Sequence, residues 1–259
     1  MILDGRSPDA ISAAVRALSA QFDEWSPKSF ELSEKQIAAA VAQCPKQLRD
    51  DTRFCQGNVR RFARAQLKMF QPLEVESPPG VWLGHRHIPV QSVGSYVPGG
   101  RYSHIASAIM TITTARVAGV PHIAACSPPR PGQGIPPAIL FAMDLCGADV
   151  ILNLGGVQGI AAMAEGLFGL PRADMLVGPG NQYVAEAKRL LYGQVGIDMF
   201  AGPTDSMVVA DHTADPELVA WDLVGQAEHG YNSPVWLVTS SRQRSEERRV
   251  GKECLRLCR

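Results

Sequence analysis

Apolar residues in the first seventy positions recur at three- and four-residue steps. Ile11, Val15, Leu18 and Phe22 share one side of a helix over Asp9–Phe22, and Ser33 is placed to cap a second helix running through Val41. Pro45 separates these from a long amphipathic stretch, Gln47–Met69. Between Glu74 and Val97 the pattern turns strand-like, with Val81, Leu83, Ile88, Val90 and Val93 set among polar residues and glycines. From Gly94 onward the chain alternates. A strand ending at Ser95-Tyr96-Val97 leads into a helix over about 103–118, and strand His122–Cys126 into helix Pro137–Cys146. Strand Val150–Leu154 passes through Gly155-Gly156 into helix Val157–Leu167, and strand Met175–Val177 passes through Gly178-Pro179-Gly180 into helix Asn181–Leu191. Four successive strand–loop–helix units predict an α/β fold with a parallel, doubly wound, Rossmann-like sheet. Ligands of such sheets bind outside the carboxyl ends of the strands, which is where these glycines gather. After Gly193 a short segment Ile197–Phe200, strand Ser206–Ala210, a helix over about Asp215–His229 and strand Val235–Thr239 predict an incomplete second α/β unit.

This pattern divides the chain into residues 1–88, an N-terminal helical and strand part of a first α/β domain, and 89–200, a Rossmann-like domain. Residues 201–239 form a return segment of the first domain, and 240–259 a tail of different character. The tail holds seven Lys or Arg and three Glu. Removing these from the 25 residues of each sign leaves 18 basic and 22 acidic residues in the body. Such a run reads either as a basic arm for nucleic acid or as a non-native scar on an interrupted reading frame. The second reading is favoured, because the run follows directly on a good strand. With 46% hydrophobic and 19% charged residues the whole chain has the composition of a soluble globular enzyme. A net charge of zero argues against nucleic-acid or anionic-membrane partners. The apolar run from Ala161 to Leu167 is broken by Glu165 and is far too short to span a membrane, and Asp4, Arg6 and Asp9 disfavour a secretory leader. A cytoplasmic location is expected. Cys44, Cys55, Cys126 and Cys146 are scattered, which fits free thiols better than a disulfide framework.

No GxGxxG follows a strand, so the standard dinucleotide fingerprint is absent. Gly178-Pro179-Gly180-Asn181 instead offers a helix N-terminus suited to a phosphate or pyrophosphate, or plain turn chemistry with an asparagine cap. Gly155-Gly156-Val157-Gln158 is the same kind of element, with Gln158 either on a ligand or in solvent. Tyr96 reads as a base-stacking ring or as an ordinary core aromatic. Gln226 and His229 are three apart, on one face of the last predicted helix. An imidazole and an amide oxygen can both ligate zinc, yet His229 also reads as a helix-terminal residue, and two ligands alone cannot hold a catalytic metal. His85 and His87 are a weaker pair.

Taken together and in order, Gly94-Ser-Tyr-Val-Pro-Gly-Gly100, Cys126-Ser-Pro-Pro129, Gly155-Gly-Val-Gln158, Gly178-Pro-Gly-Asn181, Ala201-Gly-Pro-Thr204 and Gln226-Ala-Glu-His-Gly230 resemble the histidinol dehydrogenase family over residues 7–239. The resemblance implies a homodimer that uses two NAD molecules in turn to oxidise a primary alcohol to an acid through an aldehyde, with zinc polarising the hydroxyl. It implies NAD contacts at Tyr96, Gln158 and Asn181, substrate contacts at Thr204, Gln226 and His229, and zinc ligation by Gln226 and His229. It further implies that the catalytic Glu-His pair and two more zinc ligands, an Asp and a His, lie beyond this sequence. The chain therefore reads as truncated on its C-terminal side and inactive by itself, with Glu228-His229 belonging to the zinc motif.

Gly100-Arg-Tyr-Ser-His-Ile-Ala-Ser-Ala108, Asp198-Met-Phe-Ala-Gly-Pro-Thr-Asp205 and His229-Gly-Tyr-Asn-Ser-Pro-Val-Trp236 look more like the sulfopropanediol dehydrogenase branch, which implies oxidation of 2,3-dihydroxypropane-1-sulfonate to sulfolactate. Arg101 and His104 are candidates for facing the sulfonate. The competing readings are an L-histidinol dehydrogenase of histidine biosynthesis, a non-catalytic NAD-binding fragment, and a nucleic-acid adaptor if the tail is native.

Overall fold

The computed structural model describes residues 7–99, 103–200, 204–229 and 233–241. The chain divides into two compact units, 1–201 and 202–259. The first unit opens with α1 (Pro8–Asp23), α2 (Glu34–Gln43) and α3 (Lys46–Leu67). Their starts are set locally: the Ser7 hydroxyl accepts from Ala10 N, and Ser33 with Gln36 forms a reciprocal capping box. A hairpin follows, β1 (Leu73–Glu76) against β2 (Trp82–His85), fully exposed and forming its own two-stranded antiparallel sheet. The strand-like patterning over 73–85 therefore forms a sheet of its own, and the main sheet begins only at Ser92.

The predicted alternation then appears as β3 (Ser92–Tyr96), α4 (Ile105–Val117), β4 (His122–Ser127), α5 (Pro137–Cys146), β5 (Val150–Asn153), α6 (Gly156–Glu165), β6 (Met175–Val177), α7 (Gln182–Leu191) and β7 (Gly196–Ile197). The strands form one parallel sheet in the order β5-β4-β3-β6-β7. The order reverses between β3 and β6, the switch point of a doubly wound sheet. Because side chains alternate across a strand, Ile123 and Ala125 of β4 enter one core while Ala124 and Cys126 enter the other. One core packs α2, α4 and α5 residues against the sheet; the other packs those of α1, α6 and α7. Each fully buried Leu or Ile in these layers contributes about 1.5–3 kcal/mol.

The N-terminal helices reach both faces because the chain passes around the β5 edge. Glu31 bridges Leu152 antiparallel, with Leu32 N donating to Ile151 O (3.0 Å) and Asn153 N donating to Phe30 O (2.8 Å). An edge that would otherwise expose unpaired backbone groups is thereby covered. At the amino ends of the strands, carboxylates stitch neighbours together. Asp174 accepts from Gln91 N and Ser92 N (2.8 and 2.9 Å), and Asp149 accepts from Ile123 N (2.7 Å) while paired with Arg116.

The second unit contains β8 (Ser206–Ala210), α8 (Pro216–Ala227) and β9 (Val235–Thr239), with β8 and β9 parallel. Asp215 caps α8 by accepting from Glu217 N and Leu218 N. Among the described residues, no helix is long and apolar enough to cross a membrane.

Candidate cofactor and substrate sites

The carboxyl ends of β3, β5 and β6 carry the glycine turns. Tyr96 closes β3 and is 3% exposed, so its ring is a core element. Its hydroxyl accepts from Gly156 N (3.2 Å), the first residue of α6, and so holds the turn that precedes Gln158. Burial, then the neighbouring Cys126, pushes the Tyr96 phenol well above its ordinary value against the opposing Gly156 bond, and Asp23 adds to the rise; burial likewise pushes the Cys126 thiol up. Both stay protonated at neutral pH.

Gln158 is buried on the first turn of α6. That helix starts at Gly155 with no side-chain cap, and a Cβ at Gly155 would overlap Pro128, so backbone approaches backbone closely there. Asn181 differs. It is exposed, and its side-chain oxygen accepts from both Tyr183 N and Val184 N (3.0 Å each), so the N-terminus of α7 is already satisfied from within. Of the two turns, the one at α6 keeps more of its first-turn donors available to an anion.

Gly178 joins the two turns. It has φ +111°, and a Cβ there would overlap the Tyr96 carbonyl oxygen. The ends of β4 and β5 add two neutral polar atoms: Ser127 Oγ and Asn153 Oδ1 are buried and have no hydrogen-bond partner among the described residues. Close backbone approach, an uncapped helix start and orphaned buried polar atoms at the strand ends fit a dinucleotide lying across them. A cavity of about 680 Å³ lies at the β5 edge, lined by Trp25, Gln36, Gln43, Gln133 and Asn153 among others. Tyr96, Gln158 and Asn181 do not line it.

In the second unit Gln226 lies in the last turn of α8 and donates from Nε2 to the Thr204 carbonyl (3.4 Å). The helix ends at Ala227, earlier than the spacing predicts. His229 lies past the cap residue Glu228, held by its backbone N–H on the Gln226 carbonyl (3.1 Å). Gln226 thus contacts Thr204 through its side chain and His229 through its backbone carbonyl. Among the described residues no group of three or more His, Cys, Asp or Glu is arranged to hold a metal. An amide and one imidazole fall short of the three protein ligands of a catalytic zinc. His85 and His87 have rings 5.4 Å apart on an exposed surface. His104 stands at the start of α4. Gly100, Arg101, Ala201–Pro203, Gly230 and nearly all of the basic tail lie outside the described residues.

A match to the family model for histidinol dehydrogenase covers residues 9–255. The chain belongs to the histidinol dehydrogenase family. It is 62% identical over 229 residues to sulfopropanediol 3-dehydrogenase of Ruegeria pomeroyi, covering 88% of this chain and 52% of that protein. It is 40% identical over 238 residues to histidinol dehydrogenase of Methanosarcina mazei, covering 91% and 54%. The crystal structure of histidinol dehydrogenase from Elizabethkingia anophelis superimposes with a TM-score of 0.83 at 34% identity, covering 95% of this chain and 56% of that one. The chain spans about half the length of the relatives it matches.

Sequence reasoning missed Lys188, Asp198 and Asn153. Lys188 is 1% exposed, on the stripe of α7 that buries Val184 and Leu191. A lysine in phase with an apolar stripe was the available signal. Asp198 Oδ2 accepts from Gly178 N (2.7 Å), and no local pattern announces that contact.

Proposed function

We propose that this chain carries the NAD-binding part of a zinc-assisted dehydrogenase that oxidises a primary alcohol to a carboxylic acid through an aldehyde. The favoured substrate is 2,3-dihydroxypropane-1-sulfonate, giving sulfolactate, and the working form is a homodimer. The observation carrying the reading is the set of glycine turns after β3, β5 and β6, tied together through Tyr96, at the switch point of a sheet in a histidinol dehydrogenase-family chain. Higher identity to the sulfopropanediol enzyme (62%) than to the Methanosarcina histidinol enzyme (40%) favours the sulfonate alcohol.

NAD supplies the hydride acceptor. Tyr96 holds the start of α6 through its hydroxyl, so first-turn amides of that helix face the pyrophosphate with Gln158 beside them. Asn181 keeps α7 capped and contacts the cofactor from its exposed side. Because the Gln226 amide nitrogen is engaged by Thr204, its oxygen is the atom offered to zinc, with His229 beside it; the further donors would come from outside the described residues.

Isothermal titration of the 259-residue chain with NAD tests the cofactor assignment. Saturable binding supports it, and absence of binding overturns it. Parallel assays of a full-length family enzyme carrying this sequence, zinc-replete, on dihydroxypropanesulfonate and L-histidinol test the substrate. A preference for histidinol would replace the sulfonate reading by the histidine-biosynthetic one.

A further inference from the structure

Both backbone groups of Gly178 are held by one ion pair, made by a buried lysine and a partly exposed aspartate. Lys188 Nζ donates to the Gly178 carbonyl (3.0 Å), and Gly178 N donates to Asp198 Oδ2 (2.7 Å). Lys188 Nζ and Asp198 Oδ1 are themselves paired, and Met199 N donates to the same Oδ1 (2.6 Å). The lysine reaches back from the third turn of α7 to the turn that starts that helix. The aspartate follows β7 directly. From its other side Gly178 is pressed against the Tyr96 carbonyl, closely enough to admit no Cβ.

Burying a lysine against a partly exposed carboxylate is a poor device for stability alone, since taking the ammonium out of water costs free energy that an apolar side chain of similar volume would not. What charged groups supply is direction: one donor and one acceptor fix the peptide planes on either side of Gly178. The pair also keeps a carboxylate at the ligand end of the sheet from acting as a bare negative charge beside phosphates.

We propose that Lys188 and Asp198 are positioning residues for the dinucleotide, holding the Gly178-Pro179-Gly180 turn in its binding geometry. The same Asp198 ties that turn to the end of β7. The inference rests on the NAD reading above.

The experiment is titration of NAD into the 259-residue chain and its Lys188→Met, Asp198→Asn and doubly substituted forms, with hydrogen exchange at the Gly178 amide. Asp198→Asn is nearly isosteric and carries the test if Lys188→Met does not fold. Positioning predicts that each single variant weakens NAD by about tenfold or more at temperatures well below its melting point. It also predicts a double variant no worse than the weaker single one, and lost protection at Gly178. If the pair only neutralised charge, Asp198→Asn would bind NAD as well as or better than the parent, and the positioning role would fall. A lowered melting temperature with unchanged NAD affinity would make the pair merely structural and also overturn it. Unchanged affinity in the variants sinks this inference alone, whereas no NAD binding by the parent chain sinks the cofactor reading and this inference with it.

Discussion

Gly178 and Tyr96 show how much depends on single residues at the end of this sheet. Gly178→Ala drives a Cβ into the Tyr96 carbonyl at a positive φ, and we expect a loss of about 2 kcal/mol or more in urea unfolding. Tyr96→Phe removes the acceptor for Gly156 N and should cost about 1 kcal/mol at neutral pH. Tyr96 also sets a pH dependence. In the folded protein burial raises the Cys126 thiol and the Tyr96 phenol above their ordinary values of 9.0 and 10.0, whereas the unfolded chain ionises at those values. Protons are thus bound more tightly in the native state. Their contribution is fully present below pH 9.0 and is lost as pH rises further. Unfolding curves between pH 7 and 11 should show a plateau and then a decline. Tyr96→Phe should remove the part that begins near pH 10, and an unchanged profile in that variant would refute the assignment to Tyr96.

Among elements, α7 separates two roles that one residue combines. Asn181 caps the helix through two backbone amides and is also the proposed cofactor contact. Asn181→Ala should lose about 1 kcal/mol of stability. Asn181→Asp keeps a capping oxygen, so melting should be nearly unchanged while the added negative charge weakens NAD binding in titration. Equal NAD affinity for the parent chain and its Asn181→Asp variant would remove Asn181 from the cofactor site. The starts and stops of most helices were legible for the same local reason that makes this test possible. Ser33 with Gln36, Asn181 and Asp215 each satisfy amides two or three residues away. The end of α8 was misread because His229 continues the turn through its backbone after the helix has stopped.

At the scale of the whole molecule the two units differ in how much they bury. The first has two cores, one on each face of its sheet. In the second, α8 has no buried residue, and Met207, Val209, Trp236 and Val238 expose one face of the β8–β9 sheet. Parallel strands are ordinarily covered on both faces, so this unit has little to resist opening. Amides of β8 and β9 should exchange with deuterium orders of magnitude faster than those of β4, as mass spectrometry of peptides would show; equal protection would refute this. We also expect no turnover from the 259-residue chain with zinc, NAD and either alcohol, because its Glu-His dipeptide is Glu228-His229, which belongs to the proposed zinc motif. Normal turnover would show that these residues suffice.

What the sequence determined by itself was the succession of helices and strands and the order of the glycine turns. Hydrophobic period and capping are properties of neighbouring residues, and the turns fall at strand ends wherever strands alternate with helices. Tertiary structure alone decided that Phe30–Leu32 closes the β5 edge, that the Tyr96 hydroxyl serves the start of α6, and that the β1–β2 hairpin stands apart from the sheet. It alone brought Lys188 and Asp198 to Gly178. These contacts join residues from separate elements, and their energies depend on burial and distance, which no local pattern encodes.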